Sequence, residues 1–575
     1  MESCNNSNYI KQIDNPSDCE RYNMLEHVLK MQNRLDDLNN IIDSMSPPKD
    51  ITNICPIGCA KDVKVAVIGA GESGLAAAFE LRKIGCNITL FEASQRIGGR
   101  VYTYYFDRNN RRYAELGPMS IPVSHYTTWH YINLFNIDTS PFVNNNNNSL
   151  LYLRGKKAIN DVKWRSVAKN IYPQFDLSNS DKKKLKTQVH KNIYKQYLDS
   201  LTLEERRELI EIKSKYSKNI EDIDKLTYRK VYENAGFSEE AISMLGDLDG
   251  SKQFFTLSFM EMLQQYYTAD SEFNYRINDG MISLPLSLFQ ALGDNEEDFY
   301  EGIDKDKIGT VNIKMGSPID GIYKSDLENK IILKYTESET KKENLEEFDY
   351  VICTIPFQSL RRIDTNNNFT VKKMQAINEM NYETSQKIYL YMKERFWEMG
   401  NKSKRIVGGS TFTDLPLVSI YYPSDHIEDV YDKYGKKYVL KPGTSPKEPG
   451  VLLASYSWGK EAMRLGNETP ELQIKDLIRY IEKIYELPPN YVEENLIDYK
   501  SLIWSDVQYI WGAAALSKPE DKTLFSYEAS LPEMGGRVLF SGEHISQKHG
   551  SQQGALHSGM VSANEVANQI MKNRG

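Results

Sequence analysis

The spacing of apolar residues between Met24 and Met45 predicts a helix. These residues fall at alternating steps of four and three, which places them on one stripe of a helix: Met24, Val28, Met31, Leu35, Leu38, Ile42 and Met45. Pro47 and Pro48 follow and end the helix. We expect the stripe to dock on the protein's own domain. A dimerising coiled coil would need the same stripe, so a homodimer remains an alternative.

Further along the chain, short apolar runs replace the helical spacing and predict strands. The first, from Val63 to Ile68, is rich in β-branched residues, as a buried parallel strand requires, and a glycine-rich turn follows it. A second strand is expected from Asn87 to Phe91. Later runs of the same character lie at 311–314, 319–323, 331–335, 350–355, 451–456 and 538–540, and a helix is expected over 555–571.

A segment between these strand-rich parts has a different pattern. The five asparagines at 144–148 are too polar to be buried, so they mark a surface loop and a boundary. From about Lys182 to Leu248, leucines and isoleucines are spread among Glu, Arg and Lys, which indicates amphipathic helices with solvated outer faces.

Composition and charge narrow the function classes. The 575 residues carry 71 Lys and Arg against 79 Asp and Glu, a mildly acidic balance that argues against nucleic acid as a partner. The first 23 residues are polar and charged, without the apolar core of a secretory signal. No apolar run approaches the ~20 residues that span a bilayer. We therefore expect a cytoplasmic protein that is not inserted in a membrane.

The six cysteines form no pattern typical of a metal site. Cys55 and Cys59 are close in sequence, but no second pair or nearby histidine completes a zinc site. We therefore expect no metal, and free thiols at both positions.

A glycine motif follows the first strand directly. Residues 69–74, Gly-Ala-Gly-Glu-Ser-Gly, open a helix that runs from Leu75 to Ile84, which is the setting of a dinucleotide-binding turn. Gly69 would permit the tight turn, Gly71 the close approach of a pyrophosphate, and Gly74 the close packing of helix on strand.

Two features next to the glycines strengthen this interpretation. Glu72 and Ser73 lie in the glycine turn just before the expected helix, whose N-terminus would face the negative charge of the pyrophosphate. The second strand ends at Glu92, followed by Ala93, and 92 − 74 = 18 residues beyond Gly74 is the place of a ribose-binding acid.

The residues that follow indicate which dinucleotide is bound. Arg96-Ile97-Gly98-Gly99-Arg100 resembles the loop of the FAD-binding amine oxidase family that wraps the pyrophosphate and the isoalloxazine. The resemblance runs from about residue 60 to the C-terminus and is greatest to the L-amino-acid oxidases. It implies FAD as the cofactor, with Arg100 among its contacts.

Other segments carry the same resemblance. Tyr113 to Met119 is similar to the family segment beneath the flavin ring, and Phe540 to His544 to the strand whose Glu contacts the phosphate and ribitol region. Residues 550–559 resemble the loop and helix start that cover the pyrimidine end. Ile319 resembles the residue that holds the adenine, and Trp504 an aromatic against the flavin, although a core role suits both equally. The further cofactor contacts that these matches imply are Gly117, Pro118, Met119, Glu543, Gly550, Ser551, Gln552 and Ala555.

The resemblance also implies a catalytic residue and a substrate cavity. Lys387 lies in a strand-like run that is similar to the family strand whose lysine holds a water at flavin N5. Tyr456 and Trp458 resemble the aromatic residues that line the cavity, although a core role for both is the competing interpretation.

Two positions depart from the family pattern. Ser120 stands where family members that oxidise free amino acids have an arginine that clamps the substrate carboxylate. Ser551 stands where the family has a tryptophan wall of the amine cage. Both serines are expected to line the substrate site. They leave a bulkier amine as an alternative substrate, or a carboxylate held by another residue such as Arg276.

The resemblance implies an α/β and α+β architecture: a Rossmann-like FAD-binding domain, a β-sheet substrate domain and a helical insertion. We expect an N-terminal helical segment and linker at 1–60, FAD-binding parts at 61–125, 280–365 and 506–575, the insertion at 150–255 and the substrate domain at 370–505.

The implied reaction oxidises an amine to an imine by hydride transfer to the flavin. Water then gives a carbonyl compound and ammonia, and dioxygen gives hydrogen peroxide. FAD is expected to be non-covalent, because no cysteine lies between Gly542 and Gly559, where covalent relatives attach it. The alternatives are an oxidase of polyamines or other carboxylate-free amines, a flavin desaturase or oxidative decarboxylase, and a flavoprotein with little amine oxidase activity.

Overall fold

A parallel sheet of five strands forms the base of the molecule. The computed structural model describes residues 10–161, 163–185, 189–293, 297–325, 329–401, 405–432 and 435–574. All neighbours in the sheet are parallel, so the carboxyl ends of the strands meet at one edge. In spatial order the strands are Val311–Lys314, Asn87–Phe91, Lys64–Ile68, Tyr350–Cys353 and Val538–Phe540.

Two long helices pack closely beside this sheet, Glu72–Lys83 and Gln552–Arg574. Glycine allows the contact, because a Cβ at Gly559 would collide with the carbonyl oxygen of Ser73. The parallel sheet and these helices confirm the Rossmann-like part of the predicted fold.

A mixed sheet of seven strands forms the second large layer. Its spatial order is Leu496–Ile503, Ser385–Met392, Gly450–Trp458, Ser419–Tyr421, Ser410–Thr413, Leu150–Leu153 and Lys156–Ile159. The last two strands form a hairpin inside the range predicted as helical insertion, so the helices begin after it, at Arg165.

Smaller sheets connect the two layers. A three-stranded antiparallel sheet contains Ile319–Lys324, Ile331–Thr336 and Glu343–Phe348. The remaining antiparallel groups are Thr103–Asp107 with Arg112–Glu115; Ile121–Pro122, Asn274–Ile277 and Thr139–Phe142; Tyr382–Glu383 with Ala514–Ala515; and Ile427–Asp432 with Gly435–Leu440.

Short helices fill the segment between the strand-rich parts, as its amphipathic pattern predicts. Their bounds are Arg165–Asn170, Asn179–Lys184, Val189–Asp199, Leu203–Glu208, Lys218–Asp224, Tyr228–Asn234, Glu239–Leu248 and Phe259–Tyr267. The other helices are Tyr126–Leu134, Ser283–Gln290, Phe357–Leu360, Val371–Glu379, Gly459–Gly466, Pro470–Tyr485, Tyr491–Asn495 and Asp521–Ser530. In the described part of the chain, no helix is both long and apolar enough to span a bilayer.

The N-terminal stripe is divided between two helices, Asp18–Met31 and Leu38–Met45, so the prediction of one continuous helix is wrong. The break follows from Asn33, whose φ of 55° lies in the left-handed region and cannot continue a helix. Met31 is consequently 74% exposed, and buried residues such as Leu25 and Leu29 take over the core contacts. Both helices pack into the main core, which confirms docking on the protein's own domain.

Cys55 and Cys59 form a disulfide bond, so the expectation of free thiols at these positions is wrong. The chain turns sharply at Gly58, where φ is 76°, and this brings the two Cα atoms to 6.0 Å, a separation that a disulfide spans. Cys86 and Cys353 are buried free thiols.

Candidate active site

A large cavity lies at the carboxyl edge of the parallel sheet, between this sheet and the seven-stranded sheet. Its volume is about 430 Å³, and we call it the cofactor cavity. Of the residues predicted for the site, those that line it are Gly69, Gly71, Glu72, Ser73, Glu92, Ala93, Arg100, Gly117, Pro118, Ile319, Lys387, Tyr456, Trp458, Trp504, Glu543, Gly550, Ser551, Gln552 and Ala555. Residues from distant parts of the sequence therefore meet at one cavity.

The glycine turn has the geometry that a pyrophosphate requires. Gly69 has a φ of 109°, which a residue with a side chain rarely adopts, and a Cβ at Gly74 would collide with the carbonyl oxygen of Gly69. Gly71 faces the cavity, and a Cβ there would meet no protein atom nearer than the Cα of Gly99 at 4.0 Å. A side chain at Gly71 would thus enter the cavity itself, so this cradle fits the phosphates of FAD.

Glu92 ties the second strand to the glycine turn. One carboxylate oxygen accepts the backbone N–H of Ala70 at 2.9 Å. The other accepts the backbone N–H and the hydroxyl of Ser94, at 2.9 and 2.7 Å. The carboxylate is therefore held in place at the cavity edge where the ribose is expected.

The helix that begins at Glu72 presents little negative charge to the cavity. Burial raises the pKa of Glu72 to about 8, against the effect of a hydrogen bond from Gln552 at 2.6 Å. The carboxyl group is therefore largely protonated at neutral pH, which removes a charge that would repel a pyrophosphate. Ser73 bonds to Ser541 and so joins this helix to the last strand of the sheet.

Glu543 connects three segments around the cavity. Its carboxylate accepts from Arg100 at 2.5 Å, from the backbone N–H of Ala515 at 3.2 Å and from that of Gly550 at 2.7 Å. Arg100 also donates to the carbonyl oxygen of Ala513 at 3.2 Å. These bonds fix the loop that precedes the C-terminal helix, whose N-terminus points its dipole at the cavity.

Lys387 is buried on the cavity side of the seven-stranded sheet. Its side chain is committed to two backbone carbonyls, those of Glu115 at 3.0 Å and Gly117 at 2.6 Å. Burial lowers the pKa of Lys387 to about 7, although the nearby Glu115 carboxylate opposes the shift. Burial also raises the pKa of Glu115, to about 7. Lys387 can therefore exchange a proton near neutral pH.

Aromatic side chains surround Lys387. Its ammonium nitrogen lies 4.7 Å from the ring centre of Tyr456, which is its direct neighbour on the adjacent strand. The rings of Tyr456 and Trp458 are 5.9 Å apart. Trp504 is anchored by its indole N–H, which donates to the carbonyl oxygen of Leu116 at 2.8 Å. This end of the cavity is thus an apolar, aromatic space with one titratable amine.

The end of the cavity near the predicted residue Ile319 also contains residues that the sequence did not reveal. Ile319 lies there with Pro318 and Asp320. Arg362 stacks on Trp511, with 4.0 Å from the guanidinium carbon to the ring centre. No motif marks these last two residues, because their pairing depends on the path of a loop after Trp504.

Three predicted site residues do not line the cofactor cavity. Gly74 lies behind it, as its packing role requires. Met119 lines a second cavity, together with Arg276. Ser120 is half-buried and lines neither of these cavities.

Ser551 lines the cofactor cavity, but its hydroxyl is already used. It accepts the backbone N–H of Gly554 at 3.1 Å and donates to the carbonyl oxygen of Lys548 at 2.9 Å. It therefore caps the helix Gln552–Arg574.

The arginines of the cofactor cavity are all occupied away from Lys387. Arg96 donates to the carbonyl oxygens of its own loop, at Ile97, Gly99 and Val101. Arg100 is paired with Glu543, and Arg362 lies on Trp511. Within the described ranges, no other arginine lines this cavity, and no group of three or more His, Cys, Asp or Glu residues could hold a metal ion.

Comparisons with known proteins agree with this geometry. A family model described as flavin containing amine oxidoreductase matches residues 73–567. The putative L-amino-acid oxidase YobN of Bacillus subtilis (strain 168) is 28% identical over 507 residues, which cover 87% of this chain and 94% of that protein. The L-amino-acid oxidase of Sistrurus catenatus edwardsii is 27% identical over 513 residues, 88% of this chain and 86% of that protein.

Solved structures share the fold at low sequence identity. Putrescine oxidase bound to putrescine superposes with a TM-score of 0.62 at 16% identity, covering 88% of this chain and 98% of that one. Cyclohexylamine oxidase from Brevibacterium oxydans IH-35A gives a TM-score of 0.61 at 15% identity, covering 89% and 100%.

Proposed function

The chain belongs to the flavin-containing amine oxidoreductase family, with FAD as its non-covalent cofactor, and we propose that it is an oxidase of the L-amino-acid oxidase type. The observation that carries the proposal is Lys387, a buried amine at the aromatic end of the cofactor cavity. The similarity to L-amino-acid oxidases over most of the chain supports the same reaction class.

FAD held at Gly71, Glu92 and Glu543 would supply the acceptor for a hydride from the substrate's α-carbon and the route for its electrons to dioxygen. The chain's own contribution near the reacting atoms is Lys387. In its neutral form the amine has two N–H groups, and both are used by the carbonyl oxygens of Glu115 and Gly117. The lone pair is then left to accept a proton from a water or from the substrate ammonium.

The aromatic residues position the substrate and exclude water. Tyr456 and Trp458 lie on the strand next to Lys387 and present their rings to the same space. Such a wall favours an amine with an apolar substituent and keeps the imine product away from bulk water until it leaves. Products would be a carbonyl compound, ammonia and hydrogen peroxide.

A second candidate is an oxidase of amines without a carboxylate. The observation in its favour is that no arginine of the cofactor cavity is available beside Lys387, while Ser120 replaces the family's clamp. Loss of one charge-assisted pair to a carboxylate weakens binding by roughly 10- to 100-fold.

A substrate panel separates the two candidates. Purified yellow enzyme is mixed anaerobically with L-amino acids and with their decarboxylated amines, and bleaching of the flavin is followed by absorbance. We expect bleaching by L-amino acids, with ammonia and peroxide on admission of air. Faster bleaching by the decarboxylated amines would favour the second candidate. Peroxide without ammonia would indicate a desaturase or decarboxylase, and no bleaching by any amine would contradict both oxidase proposals.

Location and assembly stay predictions. We propose a cytoplasmic location. A homodimer is a further prediction, which sedimentation of the purified protein would test.

A further inference from the structure

A second cavity of about 320 Å³ lies on the other side of the segment that contains Met119. It is enclosed by the hairpin Thr103–Asp107 with Arg112–Glu115, by the strand Asn274–Ile277 and by the seven-stranded sheet. None of its lining residues lines the cofactor cavity. We call it the arginine cavity, after Arg111, Arg112 and Arg276 in its wall.

Arg276 is the arginine in this wall without a carboxylate partner. In the described part of the chain its side chain forms no ion pair and one hydrogen bond, from Nη1 to the Tyr113 hydroxyl at 3.3 Å. Its Nε is buried and has no hydrogen-bond partner among the described residues. A buried donor without a partner costs stability unless a ligand completes it.

The carboxylate of Asp425, which also lines this cavity, is already paired with other arginines. Asp425 accepts from both terminal nitrogens of the buried Arg395, at 2.7 and 2.5 Å, and from Arg112 at 3.2 Å. Burial raises the pKa of Asp425, but the hydrogen bonds from Arg395 and the charges of Arg395, Arg276 and His426 outweigh it and hold the pKa far below its usual range. His426, also in the wall, pairs with Glu398 at 2.9 Å.

The other charged groups of the wall are engaged as well. The carboxyl group of Glu115 accepts the backbone N–H of Met281 at 2.7 Å and the hydroxyl of Thr103 at 2.9 Å. Arg111 is exposed and pairs with Asp279 at 2.7 Å. Arg276 feels the charges of Asp425 and Glu115 but forms no ion pair with either, so within the described residues it is the arginine of this wall that keeps an unused buried donor.

Apolar side chains make up much of the remaining wall. They are Met119, Phe142, Met281, Tyr389, Val451 and Leu453. An arginine with an unused donor beside apolar side chains can bind an organic acid, because the guanidinium binds the carboxylate while the apolar side chains contact the hydrocarbon part.

We propose that the arginine cavity binds a small organic carboxylate, with Arg276 as its anchor. The carboxylate is either that of the amine substrate or that of a separate acid. The ring of Tyr421 in this wall lies 5.9 Å from that of Tyr456 in the cofactor cavity, so an occupant would adjoin the proposed reaction site.

The proposal is tested by calorimetric titration of the FAD-loaded enzyme with phenylacetate and with phenylacetamide, which has the same shape and no charge. We expect phenylacetate to bind at least ~10-fold more tightly than the amide, because only the acid pairs with the guanidinium. Arg276→Met should weaken phenylacetate binding by roughly 10- to 100-fold, and Arg276→Lys by less. The control Arg464→Met removes an exposed arginine that lines neither cavity and should leave binding unchanged.

Equal affinity for acid and amide would overturn the proposal. So would unchanged phenylacetate binding in Arg276→Met, since the acid would then bind elsewhere, for instance in the cofactor cavity. If Arg276→Met does not fold, the proposal is still tested by Arg276→Lys and by the comparison of acid and amide on the native enzyme. The readout needs no turnover, so it stands even if no amine is oxidised.

The type of inhibition by phenylacetate then identifies the source of the carboxylate. Competition with an L-amino-acid substrate would show that the substrate's own carboxylate uses the cavity. Inhibition or activation without competition would indicate a separate acid. Either result is compatible with the site itself.

Discussion

Replacement of Lys387 by methionine tests the chemistry proposed for the cofactor cavity. The substitution keeps the length and apolar stem of the side chain but removes the amine that donates to Glu115 and Gly117. The carbonyl of Glu115 keeps a second donor, the Tyr389 hydroxyl at 2.9 Å, whereas the carbonyl of Gly117 loses the Lys387 amine as its donor. FAD should stay bound, because these bonds do not involve the glycine turn.

The pKa of Lys387 sets the size of the kinetic effect. A lysine with the ordinary pKa of 10.5 is neutral at pH 7 in about 1 molecule of 3,000, whereas a pKa of about 7 makes about half of the molecules neutral. If neutral Lys387 takes the proton, Lys387→Met should slow anaerobic flavin reduction by roughly 100- to 10,000-fold. In the native enzyme the rate should rise with pH through about 7, and in the variant this rise should be lost.

Lys373 offers a matched control. It is also buried, donates to two backbone carbonyls and has its pKa lowered to about 7 by burial, but it does not line the cofactor cavity. Both lysines bind a proton more readily when unfolded, so each contributes stability that is present above the unfolded pKa of 10.5 and is lost as the pH falls towards 7. Either methionine variant should therefore flatten the pH dependence of thermal unfolding over that range.

Only Lys387→Met should change the reduction rate measured by stopped-flow absorbance. Rates within about twofold of the native enzyme would remove Lys387 from the mechanism, since general base catalysis accounts for far more than that. A rise through pH 7 that persists in the variant would assign it instead to Glu115, whose pKa of about 7 titrates in the same range, or to the substrate amine.

Substitutions at three further positions test the predicted site. Gly71→Val should abolish the yellow colour while circular dichroism stays native, because the new side chain would fill the pyrophosphate space; a yellow variant would contradict this site. Ser551→Ala should lower the free energy of unfolding by about 1 kcal/mol, while Ser551→Thr should retain most of it, and equal thermal unfolding of both would refute the capping role. Ser120→Arg should raise oxidation of L-amino acids relative to carboxylate-free amines, and an unchanged ratio of the two rates would show that position 120 does not reach the substrate.

The dinucleotide turn could be predicted because its causes are local. A buried strand, three glycines and an acid 92 − 74 = 18 residues further on are contiguous in sequence, and each has a steric or electrostatic reason. The same holds for the strand that contains Lys387. Side chains alternate between the two faces of a strand, so the sequence indicates which residues face the same side as Lys387.

Features that depend on distant segments or on one unusual backbone angle could not be predicted. The left-handed residue Asn33 divides a stripe that is periodic on both sides of it. The turn at Gly58 brings Cys55 and Cys59 together, although the sequence around them does not indicate that they are bonded. The residues that line the arginine cavity are scattered between positions 110 and 453, so no local sequence pattern predicts it.

The positions of the two serines lead to a more specific view of the substrate. Ser551 caps a helix and cannot form an aromatic wall, so the rings beside Lys387 are those of the sheet side, Tyr456 and Trp458, with Trp504. An amine in this space would lie against these aromatic faces, and Ser551 leaves more room than a tryptophan would at the same position. We therefore expect discrimination between substrates to depend more on charge than on size. Because the arginines of the cofactor cavity have partners of their own, we expect the charge that distinguishes an amino acid from a simple amine to be recognised outside that cavity, where Arg276 in the adjoining arginine cavity is the proposed residue.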